Sequence, residues 1–446
     1  MKFKKIVALL LPVMMLASCG GSSDSGTATA TGSSTDGGIG NVSDSTPVKN
    51  QNLKIMFHVD AKSAEGQAYK KRIDAFNAAY KDDGIKVTAT YKARTTGAGS
   101  YETELTNMRL EGSLPDIITF DAPNCASYAA SDLLVDITSA FSEEEQNDFL
   151  TINKYNGKIY GLPIQESSAG FFYNKNIFKE AGIDVSNYTA ENPWTFSEFK
   201  DVCSKLKSKT TYAVDMRLDA TRDETATYML YPFIYATGGD YVSEDGFTAT
   251  GHFNSENTKK GFEFLKSLVT DGYTSYSIGS TDFFDGKVGM YLSSGWTIPD
   301  LDNKYPTIFP NRDSWGVLPY PKEAQAASAT GSWCFGLTNN GKSDKRAAIL
   351  LLKFLTSTES SKAITDATGM VPARKSVETS YGDTDPENVL IKQLATSGKA
   401  RPATVGYPKF SECFRQVISE MKDGELQSIL DSKTRILQSE LDKLNK

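Results

Sequence analysis

The chain has 446 residues, 39% of them hydrophobic and 11% aromatic, with a formal net charge of −7. Removing residues 1–18 takes away three lysines and no acid, which leaves about −10. That acidity excludes nucleic acid or an anionic membrane surface as the main partner, because both require a basic face; the length points to two or three domains or lobes around a large core.

The first twenty residues read as an export signal. Lys2, Lys4 and Lys5 form a positive segment, and residues 6–16 form an apolar run broken only by Pro12. The run is too short to span a bilayer. Ala17 and Ser18 are the small residues a signal peptidase requires, and Cys19 follows them directly. The string Leu16-Ala17-Ser18-Cys19-Gly20 resembles a lipobox, whose Cys takes a diacylglycerol and becomes the first residue of the mature protein. Residues 19–50 are then the lipidated Cys19 and a tether of Gly, Ser, Thr, Asp and Ala that cannot bury apolar area. A flexible chain of that length spans on the order of 30 Å.

The folded body is expected to begin at Leu53. Residues 53–59 read as a buried strand. Tyr69, Ile73, Phe76 and Tyr80 mark a helix, and residues 85–91 alternate as a strand. Residues 101–110 are helical, stopped by Gly112, and residues 116–120 form a short apolar strand. Strand, helix, strand, helix, strand predicts an open parallel α/β sheet. Ligands of such sheets sit beyond the carboxyl ends of the strands, which places Asp60 and residues 121–124 on one rim. Farther on, residues 259–268, 345–356 and 427–444 have helical spacing. Phe283 and Phe284 read as a helix end leading into a strand at 288–292.

Chemistry-bearing motifs are scarce. The chain has two histidines, His58 and His252. A His-containing metal cluster and a Ser-His-Asp or Cys-His arrangement are therefore not expected, and no cofactor is. Carboxylates are abundant, so counting leaves a glycosidase-like pair open. Cys125, Cys203, Cys334 and Cys413 are widely scattered and read mainly as small buried hydrophobes, although export permits disulfides. Trp296, Trp315 and Trp333 each stand beside a small or flexible residue, and Tyr228 and Tyr231 precede Pro232. A flat indole suits the C–H face of a pyranose, with nearby polar groups to bond its hydroxyls; the competing role for each ring is core packing.

Several segments together resemble the bacterial extracellular solute-binding proteins of sugar-importing ABC transporters, typified by maltose-binding protein. They are residues 155–163, 172–182, 193–199, 285–290 with Gly295-Trp296, 316–319, the helix 345–358, and Gly369-Met370-Val371-Pro372-Ala373-Arg374. The resemblance covers residues 53–446. It implies an α/β, two-lobed periplasmic-binding-protein-like fold of type II, with the ligand in a cleft between lobes joined by hinge crossings. One lobe would comprise residues 51–164 plus 333–373, the other 165–332 plus 374–446. The crossings would fall near residues 163–165, 330–333 and 371–374.

The resemblance also implies ligand contacts. Asp60 and Lys62 follow the first strand. Asp121 and Asn124 follow the third, and the register leaves both as candidates, as it does Glu166 and Ser167 after the first hinge. Tyr228 falls near a stacking aromatic, Trp296 matches the stacking Trp, and Trp333 sits at the second crossing. Arg401 and Tyr407 lie on a late loop that closes over ligand. The implied protein is a lipid-anchored, extracytoplasmic monomer that binds a carbohydrate and delivers it to ABC permease subunits, without enzymatic activity. A non-sugar solute, an exported glycosidase-like enzyme and a surface adhesin are the competing readings.

Overall fold

Strands form here where apolar residues are buried on both sides of a sheet. The computed structural model describes residues 47–94, 100–220, 223–339 and 343–445. The export signal, Cys19 and the tether up to residue 46 lie outside the described residues. Order starts before Leu53: Val48 packs on the first core, and the Asn50 N–H donates to Asp83 O.

The strands are β1 (Asn52–Phe57), β2 (Lys86–Tyr91), β3 (Ile117–Asp121), β4 (Asn153–Tyr155), β5 (Lys158–Pro163), β6 (Ala169–Asn174), β7 (Tyr212–Asp215), β8 (Val288–Ser294), β9 (Trp315–Leu318), β10 (Ser328–Ala329), β11 (Trp333–Leu337) and β12 (Gly398–Lys399). They build two main sheets, one per lobe, of a two-lobed α/β fold.

The first lobe carries the six-stranded sheet, ordered β2-β1-β3-β11-β5-β4. β1 is parallel to β2 and β3, as the strand–helix alternation predicts. β11 is antiparallel to β3 and β5. The fully parallel sheet is therefore corrected to a mixed one: β11 arrives from the other lobe and enters from the opposite end. Leu53, Ile55 and Phe57 point into one core and Met56 into another, the alternation of a strand covered on both faces.

The second lobe carries the sheet β7-β8-β6-β9. Every residue of β8 is buried. Met290 and Leu292 face one core with Phe171, while Tyr291 faces another with Phe172 and Trp315. Trp315 and Trp194 are thus core residues; Trp194 Nε1–H donates to Pro319 O at 2.7 Å. The helix Phe196–Leu206 opens on a Thr195–Glu198 capping box, the physical content of the 193–199 string. Phe283 and Phe284 lie in a turn rather than a helix end, since Gly286 at φ 74° closes the chain into β8. The helices Tyr407–Glu420 and Leu426–Leu444 pack into the core of this lobe.

Candidate functional site

Three segments connect the sheets, and they lie side by side. Residues 164–168 run from β5 to β6, and residues 330–332 run from β10 to β11. Residues 369–373 follow the helix Thr358–Thr368. Glu166 and Val371 exchange backbone hydrogen bonds at 2.8 and 3.0 Å. Ser167 Oγ–H donates to Gly331 O, and Thr330 Oγ1–H to Glu166 Oε2 at 3.4 Å. Few residues at a junction of this kind absorb the φ/ψ change of lobe closure.

In front of this junction lies a cavity of about 720 Å³, lined from both lobes. The turn after β1 supplies His58, Asp60 and Lys62. It is held by Ser63 Oγ–H donating to Asp60 O at 2.7 Å and by Gly66, where a Cβ would collide with that same carbonyl. Asp121 ends β3, and its register partner on β11 is Trp333, so strand pairing alone sets these two side by side. The second lobe adds Glu224 and Tyr228 from the helix Glu224–Ala236, Trp296 from the turn after β8, and Arg401.

Arg401 is the electrostatic centre. Its Nη1 and Nη2 donate to Asp121 at 2.9 and 2.5 Å, and Nη1 also donates to Glu224 Oε1 at 2.8 Å. Glu224 further accepts from the hydroxyls of Tyr407 and Ser411. Burial disfavours the guanidinium cation, but Asp121, Tyr407 and Glu224 more than offset that and hold it well above the ordinary arginine range. Arg94, also on the cavity, pairs with Glu102 at 3.1 Å.

Beside Asp121 the wall is aromatic and acidic. His58 stacks on Trp333 with centroids 3.5 Å apart and planes at 2°, and the Arg94 guanidinium lies 5.1 Å from the same indole. Burial and Arg94 hold His58 well below its usual value. Glu65 accepts from Tyr69 and, at 3.3 Å, from Gln165, both on Oε1. Burial pushes its carboxyl up to about 7 against the Tyr69 hydrogen bond.

Of the residues singled out from sequence, Asp60, Lys62, Asp121, Ser167, Tyr228, Trp296, Trp333 and Arg401 line the cavity. Three do not. Asn124 ends the short 3-10 turn Ala122–Asn124 behind the rim, and Tyr407 stands behind Arg401 with its hydroxyl on Glu224. Glu166 is buried in the hinge and bonded by Thr151 and Thr330. Trp333 lines the cavity but already gives its ring to His58, whereas Trp296 is 44% exposed and tilted 6.1 Å from Tyr228. His58, Glu65, Arg94, Gln165, Glu224 and Ser332 were missed. The strand-end rule pointed at Asp60, between the first two, and at none of the six themselves, which follow from no local pattern. Among the described residues no cluster of His, Cys, Asp and Glu is arranged to hold a metal ion, the four cysteines are free and buried, and no helix is long and apolar enough to cross a membrane.

Two lobes around a polar, aromatic cleft define a class of binding protein that closes on its ligand. Residues 71–389 match the model of the bacterial extracellular solute-binding proteins, and the chain belongs to that family. A Brucella abortus (strain 2308) protein with a provisional binding-protein name is 27% identical over 239 residues, 51% of this chain and 54% of its own length. This chain therefore matches about half the length of that relative. The sn-glycerol-3-phosphate-binding periplasmic protein of Shigella flexneri is 25% identical over 342 residues, 70% of this chain and 73% of the relative. In three dimensions the cyclic alpha-maltosyl-1,6-maltose binding protein of Arthrobacter globiformis aligns with a TM-score of 0.73. It is 21% identical over 88% of this chain and 99% of its own, a likeness of fold.

Proposed function

We propose that the protein captures a mono- or oligosaccharide between its lobes and delivers it, chemically unchanged, to the permease of an ABC importer. Lipid on Cys19 would hold it at the outer face of the membrane, with residues 20–50 as the tether. The ligand contacts are assigned to Asp60, Lys62, Glu65, Ser167, Tyr228 and Trp296. Ligand touching both lobes binds the closed state better than the open one and shifts the population toward it.

The observation that carries the sugar reading is the charge balance of the cleft. Four carboxylates (Asp60, Asp121, Glu224, Asp300) meet four cationic side chains (Lys62, Arg94, Lys304, Arg401), and the fifth acid, Glu65, has its carboxyl raised to about 7 by burial. Both arginines are answered by carboxylates, so little positive charge is left for a phosphate ester of the kind named for the Shigella relative. Trp296 meanwhile keeps an exposed face of the size a sugar ring covers.

A thermal-shift screen of the full-length protein against neutral mono- and oligosaccharides tests this. A ligand at 100 times its Kd adds about 2.7 kcal/mol of stability, a visible shift. Trp296→Ala is expected to weaken the best sugar at least tenfold, since a desolvated stacking face is worth about 1.5–3 kcal/mol. Recovery of hydrolysed sugar would turn the reading into an enzyme; sugars that shift nothing would turn it into a receptor for another solute.

A further inference from the structure

We infer that Glu65 meets the ligand as a neutral acid, donating from Oε2 to an acceptor oxygen of the sugar, so that capture is tighter at pH 6 than at pH 8. The inference rests on the carbohydrate reading above. Glu65 lines the cavity, and its side chain is 21% exposed. Its two oxygens differ. Oε1 accepts from the hydroxyl of Tyr69, on the same helix Ala64–Ala79, and from Gln165 Nε2 at 3.3 Å. Oε2 bonds to none of the described residues and keeps accessible surface.

The hinge fixes which oxygen stays free. Gln165 belongs to the first crossing and is 3% exposed; its own Oε1 accepts from Thr368 Oγ1–H at 3.0 Å. Its amide therefore turns Nε2 toward Glu65. A protonated carboxyl has a single O–H to give. A proton on Oε1 would meet two donor hydrogens, from Tyr69 and Gln165, so the acid form carries it on Oε2.

The surroundings favour that form. Burial pushes the carboxyl up to about 7, against the Tyr69 hydrogen bond. His58 Nε2, just beyond β1, lies 3.7 Å from Oε1, and burial and Arg94 both disfavour a charge on it. Asp60 and Lys62 in the preceding turn and Arg94 beyond β2 line the same cavity, and none of them moves the carboxyl. Gln165 and Thr368, on the hinge side, carry no charge. A sugar that covers the exposed fifth of this side chain strips water from the carboxylate and brings no cation. The complex then holds the proton more tightly than the empty cleft does. By linkage such a ligand binds best where the acid is already formed, and its affinity falls as pH climbs through 7.

Titration calorimetry of the full-length protein with maltose, cellobiose, xylobiose and galactose, between pH 6 and pH 8, tests this. The best of these sugars is expected to lose about three- to tenfold in affinity over that range, with proton uptake read from the dependence of the heat on the buffer's ionisation enthalpy. Glu65→Gln, whose amide donates where the acid does, is expected to bind within about threefold of wild type at pH 6. It should show no pH dependence and so be the tighter binder at pH 8. Glu166→Gln removes the hinge carboxyl that titrates in the same range and should keep the wild-type profile. Affinity that rises with pH, or a Glu65→Gln variant that is weaker at every pH, would make the carboxylate the contact and overturn the inference. So would a flat wild-type profile, with the carbohydrate reading left standing. Binding of none of these sugars at any pH would overturn both.

Discussion

Arg401→Met is expected to lose about 3–5 kcal/mol of stability and to expand the protein in solution. The substitution keeps much of the apolar volume and removes the only cation bonded to both Asp121 and Glu224 among the described residues. Asp121 is 5% exposed, so its charge has no route to water without movement of the lobes. Glu224 opens the helix Glu224–Ala236 and Arg401 precedes the helix Tyr407–Glu420, both helices packed into the second lobe's core, whereas Asp121 ends a strand of the first lobe's sheet. The pair thus straddles the cleft, and breaking it separates the lobes as well as burying unpaired charge. Exposed pairs such as Lys70–Asp74 are worth at most about 1 kcal/mol, which sets the scale for a trivial outcome. Chemical denaturation gives the stability change and small-angle scattering the radius of gyration. Adding Asp121→Asn to the Met variant should restore part of the loss, since one of the two stranded carboxylates becomes neutral. A loss below about 1 kcal/mol with unchanged dimensions would sink the idea that this triad latches the lobes.

How much of this was readable in the sequence depends on what kind of signal each part leaves. The strands and amphipathic helices leave periodicity, and residues 101–110 were placed as the helix Tyr101–Leu110. The lobes left strings such as 193–199, whose capping box is a local interaction and therefore local in sequence. The cleft leaves far less. Glu65 and Glu224 look like ordinary first-turn helix acids, a placement the helix dipole already favours. His58 looked like a strand residue because only the fold brings Trp333 against it from 275 positions away. Glu166 was assigned to ligand because it follows the hinge. The structure turns it inward, because the crossing 369–373 pairs with its backbone and Thr151 and Thr330 reach its carboxyl. Arg401 was read as a ligand contact and lines the cavity, but no spacing announces that Asp121, 280 positions earlier, takes up its guanidinium. Long-range pairing across two interleaved lobes is what a single sequence conceals.

That inward turn of Glu166 carries the other large expected effect, on stability against pH. Burial pushes its carboxyl from 4.5 up to about 7, opposed by hydrogen bonds from Thr151, Thr330 and the Gly331 backbone. No cation contributes to holding its charge. The folded protein therefore keeps this proton over a range in which the unfolded chain has lost it. Stability from this group is fully present below about pH 4.5 and falls by about 1.4 kcal/mol per pH unit until about pH 7, a total near 3 kcal/mol. Glu65, raised to about 7 by burial in the cleft, adds a second contribution of the same sign over the same window. These two glutamates thus take stability away as pH rises from 5 to 8, the reverse of salt-bridged acids; Asp215, raised to about 6 by burial, adds to them below that pH, and His58, held well below its usual value by burial and Arg94, opposes them below 6.5. Glu166→Gln, neutral at every pH and close in shape, should remove the Glu166 share of that slope, about 1.4 kcal/mol per pH unit, and be more stable than wild type at pH 8 by up to about 3 kcal/mol. It should match wild type near pH 4.5. Denaturation midpoints at half-unit pH intervals decide it: a Gln variant whose slope equals that of the wild type would show that Glu166 is ionised within the fold and that the three crossings tolerate its charge. With the Glu166 share of the slope gone, the junction of the three crossings is itself a titrating element of the fold.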